Sequence, residues 1–100
     1  MAGTVMDGQS GQAIANAVVR LYHHETHTIP SGCFALGGAD ALPFEFGVSA
    51  PGYKTVVIKA VPGTYQALVT LVPEDSLGES AVKADKISRE QYAELALGCR

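Results

Sequence analysis

Histidines gather once in this chain, in the run His23-His24-Glu25-Thr26-His27. A zinc-protease helix uses His-Glu-x-x-His, which sets two imidazoles on one face with a glutamate base between them. Here His24-Glu25-Thr26-His27 is one residue short of that spacing. The residues before it read as strand, and in an extended chain His23 and His24 point to opposite faces. His23 and His27 would then stand ~13 Å apart, too far to share an ion. His23, His24 and His27 are thus metal-ligand candidates only if a turn gathers them. The competing reading is a solvated strand end running into a polar loop, with no resident cofactor. Imidazoles in such a loop could still respond to pH near ~6.5, or take up zinc or copper weakly.

Other chemistry-bearing types are less well arranged. Gly47-Val48-Ser49-Ala50-Pro51 begins like the Gly-x-Ser-x-Gly nucleophile elbow but ends in proline, with no helix following. Ser49 therefore reads as a solvent-face strand residue, and no nucleophile–base pair is visible. Glu74, Asp75 and Glu79 lack the alternating carboxylates and central glycine of an EF-hand loop and read as a solvated acidic stretch. Asp7 and Asp40 read as turn residues bonding nearby backbone. Tyr53 should pack over the turn it follows, with its hydroxyl on a backbone acceptor. Cys33 and Cys99 lack the paired Cys-x-x-Cys clusters of a zinc ribbon. They leave two options, one disulfide in an oxidising compartment or two unrelated thiols in the cytosol.

The elements that must position these residues are organised around residues 44–58. Phe44, Phe46, Val48 and Ala50 share one face of a strand, and Glu45, Gly47 and Ser49 take the other. Pro51-Gly52 then supplies the two central positions of a type II turn. Val56, Ile58 and Ala60 form a second apolar line. Upstream, residues 3–7, 17–22 and 33–36 read as strands, with Ala17, Val19 and Leu21 facing the core and Arg20 facing water. Residues 37–43 read as a connecting loop and Pro62-Gly63 as a turn. Residues 66–72 read as the last strand, with Ala67, Val69 and Leu71 on one face. Short strands at roughly ten-residue spacing, punctuated by glycine and proline, indicate an antiparallel sandwich.

After residue 73 the period is lost, and residues 74–87 read as a surface linker. Residues 88–100 begin with the capping box Ser88 and Gln91, continue as a helix with the stripe Tyr92, Leu95 and Ala96, and reach Gly98 at the C′ position. Cys99 lies just beyond. So short a helix is marginal without tertiary support, and a bond from Cys99 to Cys33 would fasten it to a core strand.

One hundred residues make one domain. A net charge of −3 argues against nucleic-acid binding, which calls for a basic patch. No apolar run approaches the ~20 residues of a membrane-spanning helix. No signal peptide is evident, since the first strand starts at once; an exported chain would have lost its leader. Sugar stacking on exposed aromatics is disfavoured by four tyrosines and no tryptophan.

Gly3-x-Val5-x-Asp7, Ser10-Gly11, Ile14 and Asn16-Ala17-x-Val19-x-Leu21, followed by Val48-Ser49-Ala50-Pro51-Gly52-Tyr53-Lys54, closely resemble the carboxypeptidase regulatory-like domain over residues 2–73. The resemblance implies an all-β, seven-stranded antiparallel β-sandwich of transthyretin-like (prealbumin-like) Greek-key type, here with a short C-terminal helix. Where the family has Thr-Asp-x-x-Gly-x-Phe, this chain has Ile29-Pro30-Ser31-Gly32-Cys33-Phe34. The resemblance implies an accessory or adhesive module without catalytic residues. The His-x-x-Glu of metallocarboxypeptidases is absent, and the chain ends Leu97-Gly98-Cys99-Arg100 rather than in the Tyr-Arg-Gly-Ser of hydroxyisourate hydrolases. Small exported bacterial members, often lipoproteins, are the implied subgroup, which favours a Cys33–Cys99 disulfide and a periplasmic or cell-surface location. A protein or cell-envelope partner is the expected ligand class. A glycan or a transition metal is the alternative.

Overall fold

The computed structural model describes residues 1–21, 24–36, 44–60 and 63–99. Eight strands and one helix lie within them: β1 (Ala2–Asp7), β2 (Val18–Leu21), β3 (His24–His27), β4 (Cys33–Ala35), β5 (Phe44–Ser49), β6 (Val56–Ala60), β7 (Tyr65–Leu71), β8 (Ala81–Lys86) and α1 (Arg89–Gly98). They form two four-stranded sheets. Sheet A has the order β4-β1-β7-β8 and sheet B the order β3-β2-β5-β6.

The alternation read from the sequence sets the core. Val19, Leu21, Phe46, Val48, Val69 and Leu71 are buried between the sheets, while Arg20, Glu45 and Leu68 point outward. Phe34 of sheet A stacks on Phe46 of sheet B at 5.8 Å between ring centroids. Val56 and Ile58 pack against this core half-buried.

The Pro51-Gly52 turn closes as the sequence requires. The Tyr53 N–H donates to the Ala50 carbonyl at 3.1 Å, and Gly52 takes φ 82°, where a side chain would be strained.

Four expectations are corrected. The sandwich has eight strands rather than seven, and one of them, β8, lies inside residues 74–87, read above as a linker. Only Val82 and Ala84 of β8 pack on the core, so its apolar line is two residues long, too short to announce a strand. The sheets are not wholly antiparallel either. β1 and β7 run parallel in register from Ala2↔Gln66 to Asp7↔Leu71, a direction that side-chain alternation does not encode. The polar run holds a strand of its own before the loop begins: residues 24–27 form edge strand β3, zipped to β2 from Val18↔His27 to Leu21↔His24, and the loop follows at residues 28–32. Gly98 is the last helical residue rather than C′. Cys99 is the C-cap, its N–H donating to the Ala96 carbonyl at 3.2 Å.

The capping box of α1 forms as read. Ser88 Oγ accepts the Gln91 N–H at 3.1 Å, and the Ser88 N–H donates to Gln91 Oε1 at 3.0 Å. Tyr92, Leu95 and Ala96 are half-buried where α1 packs on β1 and β4. Ala2, on the outer face of sheet A, is fully buried at this contact. No helical residue is, so α1 adds little core of its own.

Candidate functional site

A dense polar cluster sits at the end of the sandwich where β1 stops, the Pro51-Gly52 turn folds and residues 73–80 cross the surface. Asp7, the last residue of β1, accepts the Gln9 N–H at 2.7 Å and the Ser10 N–H at 3.1 Å on Oδ1. Its Oδ2 accepts the Tyr53 hydroxyl at 2.6 Å. The hydroxyl thus reaches a carboxylate, not the backbone acceptor expected from the sequence. That bond, with the two backbone N–H groups behind it, holds the Asp7 carboxyl below its ordinary range. The same bond, then burial, pushes the Tyr53 phenol above its own. At neutral pH the proton stays on Tyr53, and the pair forms a clamp rather than an acid–base couple.

Lys54 adds a second attachment to sheet A, at the end of β7 and the crossing beyond it. Its N–H donates to the Val72 carbonyl at 2.8 Å, and its ammonium to the carbonyls of Ser76 and Gly78 at 2.6 and 2.7 Å. The Ser80 hydroxyl donates to the Lys54 carbonyl at 2.6 Å and accepts the Val72 N–H at 3.1 Å. Sequence reading missed the roles of Lys54 and Ser80. Their partners are mostly backbone groups, which carry no residue signature. Asp40 lies outside the described residues.

His24 and His27 are not gathered. His24 and His27 are exposed on β3, three residues apart and so on opposite faces, and His23 lies outside the described residues. Among the described residues no three His, Cys, Asp or Glu side chains converge, and Glu74, Asp75 and Glu79 stay exposed on the 73–80 crossing. Ser49 takes the outer face of sheet B, half-buried. Cys33 and Cys99 are joined by a disulfide, with 5.3 Å between Cα atoms.

The outer face of sheet B carries a shallow depression of about 240 Å3 lined by Arg20, Glu45, Gly47, Ser49, Thr55 and Val57, among others. It exists because Gly47 leaves the space between Arg20 and Val57 unfilled. Arg20 is already paired, its Nη2 donating to Glu25 Oε2 at 2.7 Å. That bond lowers the Glu25 carboxyl below its ordinary range.

Two packed sheets, a cross-sheet polar clamp and a disulfide-tied helix define a β-sandwich module built around internal bonding. The model of the carboxypeptidase regulatory-like domain matches residues 1–76, and the chain belongs to that family. No curated protein matches it. Among solved structures it is similar to a Bacteroides fragilis protein of unknown function, provisionally described as membrane-associated, at 25% identity and TM-score 0.48. The match covers 75% of this chain but only 28% of that one. No helix among the described residues is long and apolar enough to cross a membrane.

Proposed function

We propose that this chain is a non-enzymatic, exported β-sandwich module serving as an envelope-associated or protein-interaction domain. The observation that carries the export half is the Cys33–Cys99 disulfide, which ties α1 to β4. Structural disulfides persist in oxidising compartments and are rare in the cytosol. The non-enzymatic half is supported by the polar cluster: Asp7, Tyr53, Lys54 and Ser80 are engaged with one another or with backbone, holding the two sheets in register.

The test begins with the intact mass of unreduced protein prepared from an oxidising compartment, with and without a thiol alkylator. One intramolecular bond and no alkylation is the expected result; two alkylated cysteines would overturn export. Pull-down from an envelope fraction then addresses the partner. Repeated recovery of neither a partner nor envelope material would sink the interaction half.

A second reading, a small-ligand module for glycans, is favoured by the depression beside Gly47. A glycan array tests it, and silence across the array removes it. Calorimetry with zinc and copper settles the His23, His24 and His27 candidates in the same way.

A further inference from the structure

Singly exposed apolar side chains are commonplace, but Leu77 differs from the others in how it is held. Among the described residues Val57, Leu68 and Leu97 are also exposed, each on a strand or helix that covers part of it, whereas Leu77 is fully exposed on the 73–80 crossing. Its position is imposed from both sides. The Lys54 ammonium grips the carbonyls of Ser76 and Gly78, the two chain neighbours of Leu77. The Ser76 hydroxyl accepts the Gly78 N–H at 3.1 Å, and the Ser76 N–H donates to the Pro73 carbonyl at 3.0 Å. Further out, the Glu74 N–H donates to the Gly52 carbonyl at 3.0 Å, and the Ser80 hydroxyl donates to the Lys54 carbonyl. The backbone is thus pinned around a side chain that the protein itself leaves uncovered. Packing does not account for that arrangement, because it buries none of the leucine. Preorganisation for binding does, since a loop already fixed loses less freedom when it docks.

Charge narrows the partner. Of the ten acidic and seven basic residues in the chain, three acids and no base fall in residues 73–80. The whole net charge of −3 is therefore matched by this one crossing, and its Glu74, Asp75 and Glu79 are all exposed. An apolar anchor with an acidic rim fits an apolar socket rimmed by lysine or arginine. A lipid surface fits poorly. Even a myristoyl chain binds a bilayer only marginally, and anionic headgroups repel carboxylates.

We propose that the 73–80 crossing is a docking loop, with Leu77 the anchor that enters an apolar, basic-rimmed socket on another protein. The inference rests on the protein-interaction reading above and names the surface that carries it.

The test puts a photo-crosslinking benzoylphenylalanine in place of Leu77 in the full, disulfide-intact chain, with the same change at exposed Leu97 as control. After exposure to an envelope fraction, the protein captured through position 77 is identified by mass spectrometry, purified and titrated against the chain. Leu77→Ser should weaken that binding by about tenfold or more. Its melting curve should match the wild type, because the side chain it removes is uncovered. Added salt should weaken wild-type binding, and Glu74→Gln with Asp75→Asn and Glu79→Gln should remove most of that dependence. A partner that binds Leu77→Ser as well as the wild type overturns the inference and leaves the interaction reading standing. Recovery of no partner overturns both. Binding to vesicles of phosphatidylethanolamine and phosphatidylglycerol that Leu77→Ser abolishes would give the loop to a lipid surface and overturn the protein socket.

Discussion

Among the described residues Thr28 is the one buried polar side chain, 2% exposed. Its Oγ1 accepts the Ala17 N–H at 2.9 Å and donates to the Ile14 carbonyl at 2.5 Å. It thereby fixes the turn at Asn16, which sits at φ 59° ahead of β2. Thr28→Val keeps the shape and orphans both backbone groups, and should cost about 1–3 kcal/mol in urea unfolding. The Asp7–Tyr53 bond is instead a pH device for stability. The Asp7 carboxyl is lowered in the folded state, so its contribution is present above the unfolded value of 3.8 and is lost as pH falls through the lower folded value. The Tyr53 phenol is raised, so its contribution is present below its unfolded value of 10.0 and is lost as pH rises through the folded one. Melting temperature against pH should fall at both ends, and Asp7→Asn should flatten the acid limb. Asp7 beside a turn and Tyr53 over a turn were each legible in sequence. Their meeting was not, because 46 residues separate them.

At the scale of elements, the parallel pairing of β1 with β7 depends on Gly3. A Cβ there would collide with the Ala67 carbonyl oxygen, in the strand it pairs with. Gly3→Ala must push the two central strands of sheet A apart. It should cost about 1–3 kcal/mol or more, read as a lowered denaturation midpoint. The strands with apolar residues at every second position, β2, β5 and β7, were legible because burial of one face writes a period of two. β3 and β8 were not. β3 is an edge strand whose polar residues face solvent, and β8 presents only Val82 and Ala84 to the core. The helix was legible through local chemistry, Ser88 and Gln91 satisfying its first N–H groups.

For the whole molecule, the disulfide spans 66 residues and joins the helix end to β4. Closing a loop of that length stabilises the fold by about 4 kcal/mol in the chain-entropy model. That is a large share of a domain's net ~5–15 kcal/mol. Cys33→Ala with Cys99→Ala should lower stability by roughly that amount. Helical circular dichroism should also fray below the sandwich melting temperature, since α1 buries no residue fully. Unchanged stability in the double variant would mean that packing on β1 and β4 alone holds the helix.

What the sequence by itself determined were the features encoded between near neighbours: the alternating core faces of β2, β5 and β7, the Pro51-Gly52 turn and the capped start of α1. Each depends on side-chain period or on the dihedral preference of one or two residues. Family membership was legible for the same reason, since its motifs are strand–turn–strand runs. Tertiary structure alone decided that β1 lies parallel to β7, that β8 completes sheet A, and that Tyr53 and Lys54 lock the turn that follows β5 onto sheet A. Those outcomes join residues far apart in the chain, often through backbone groups that every residue carries, so no local pattern announces them.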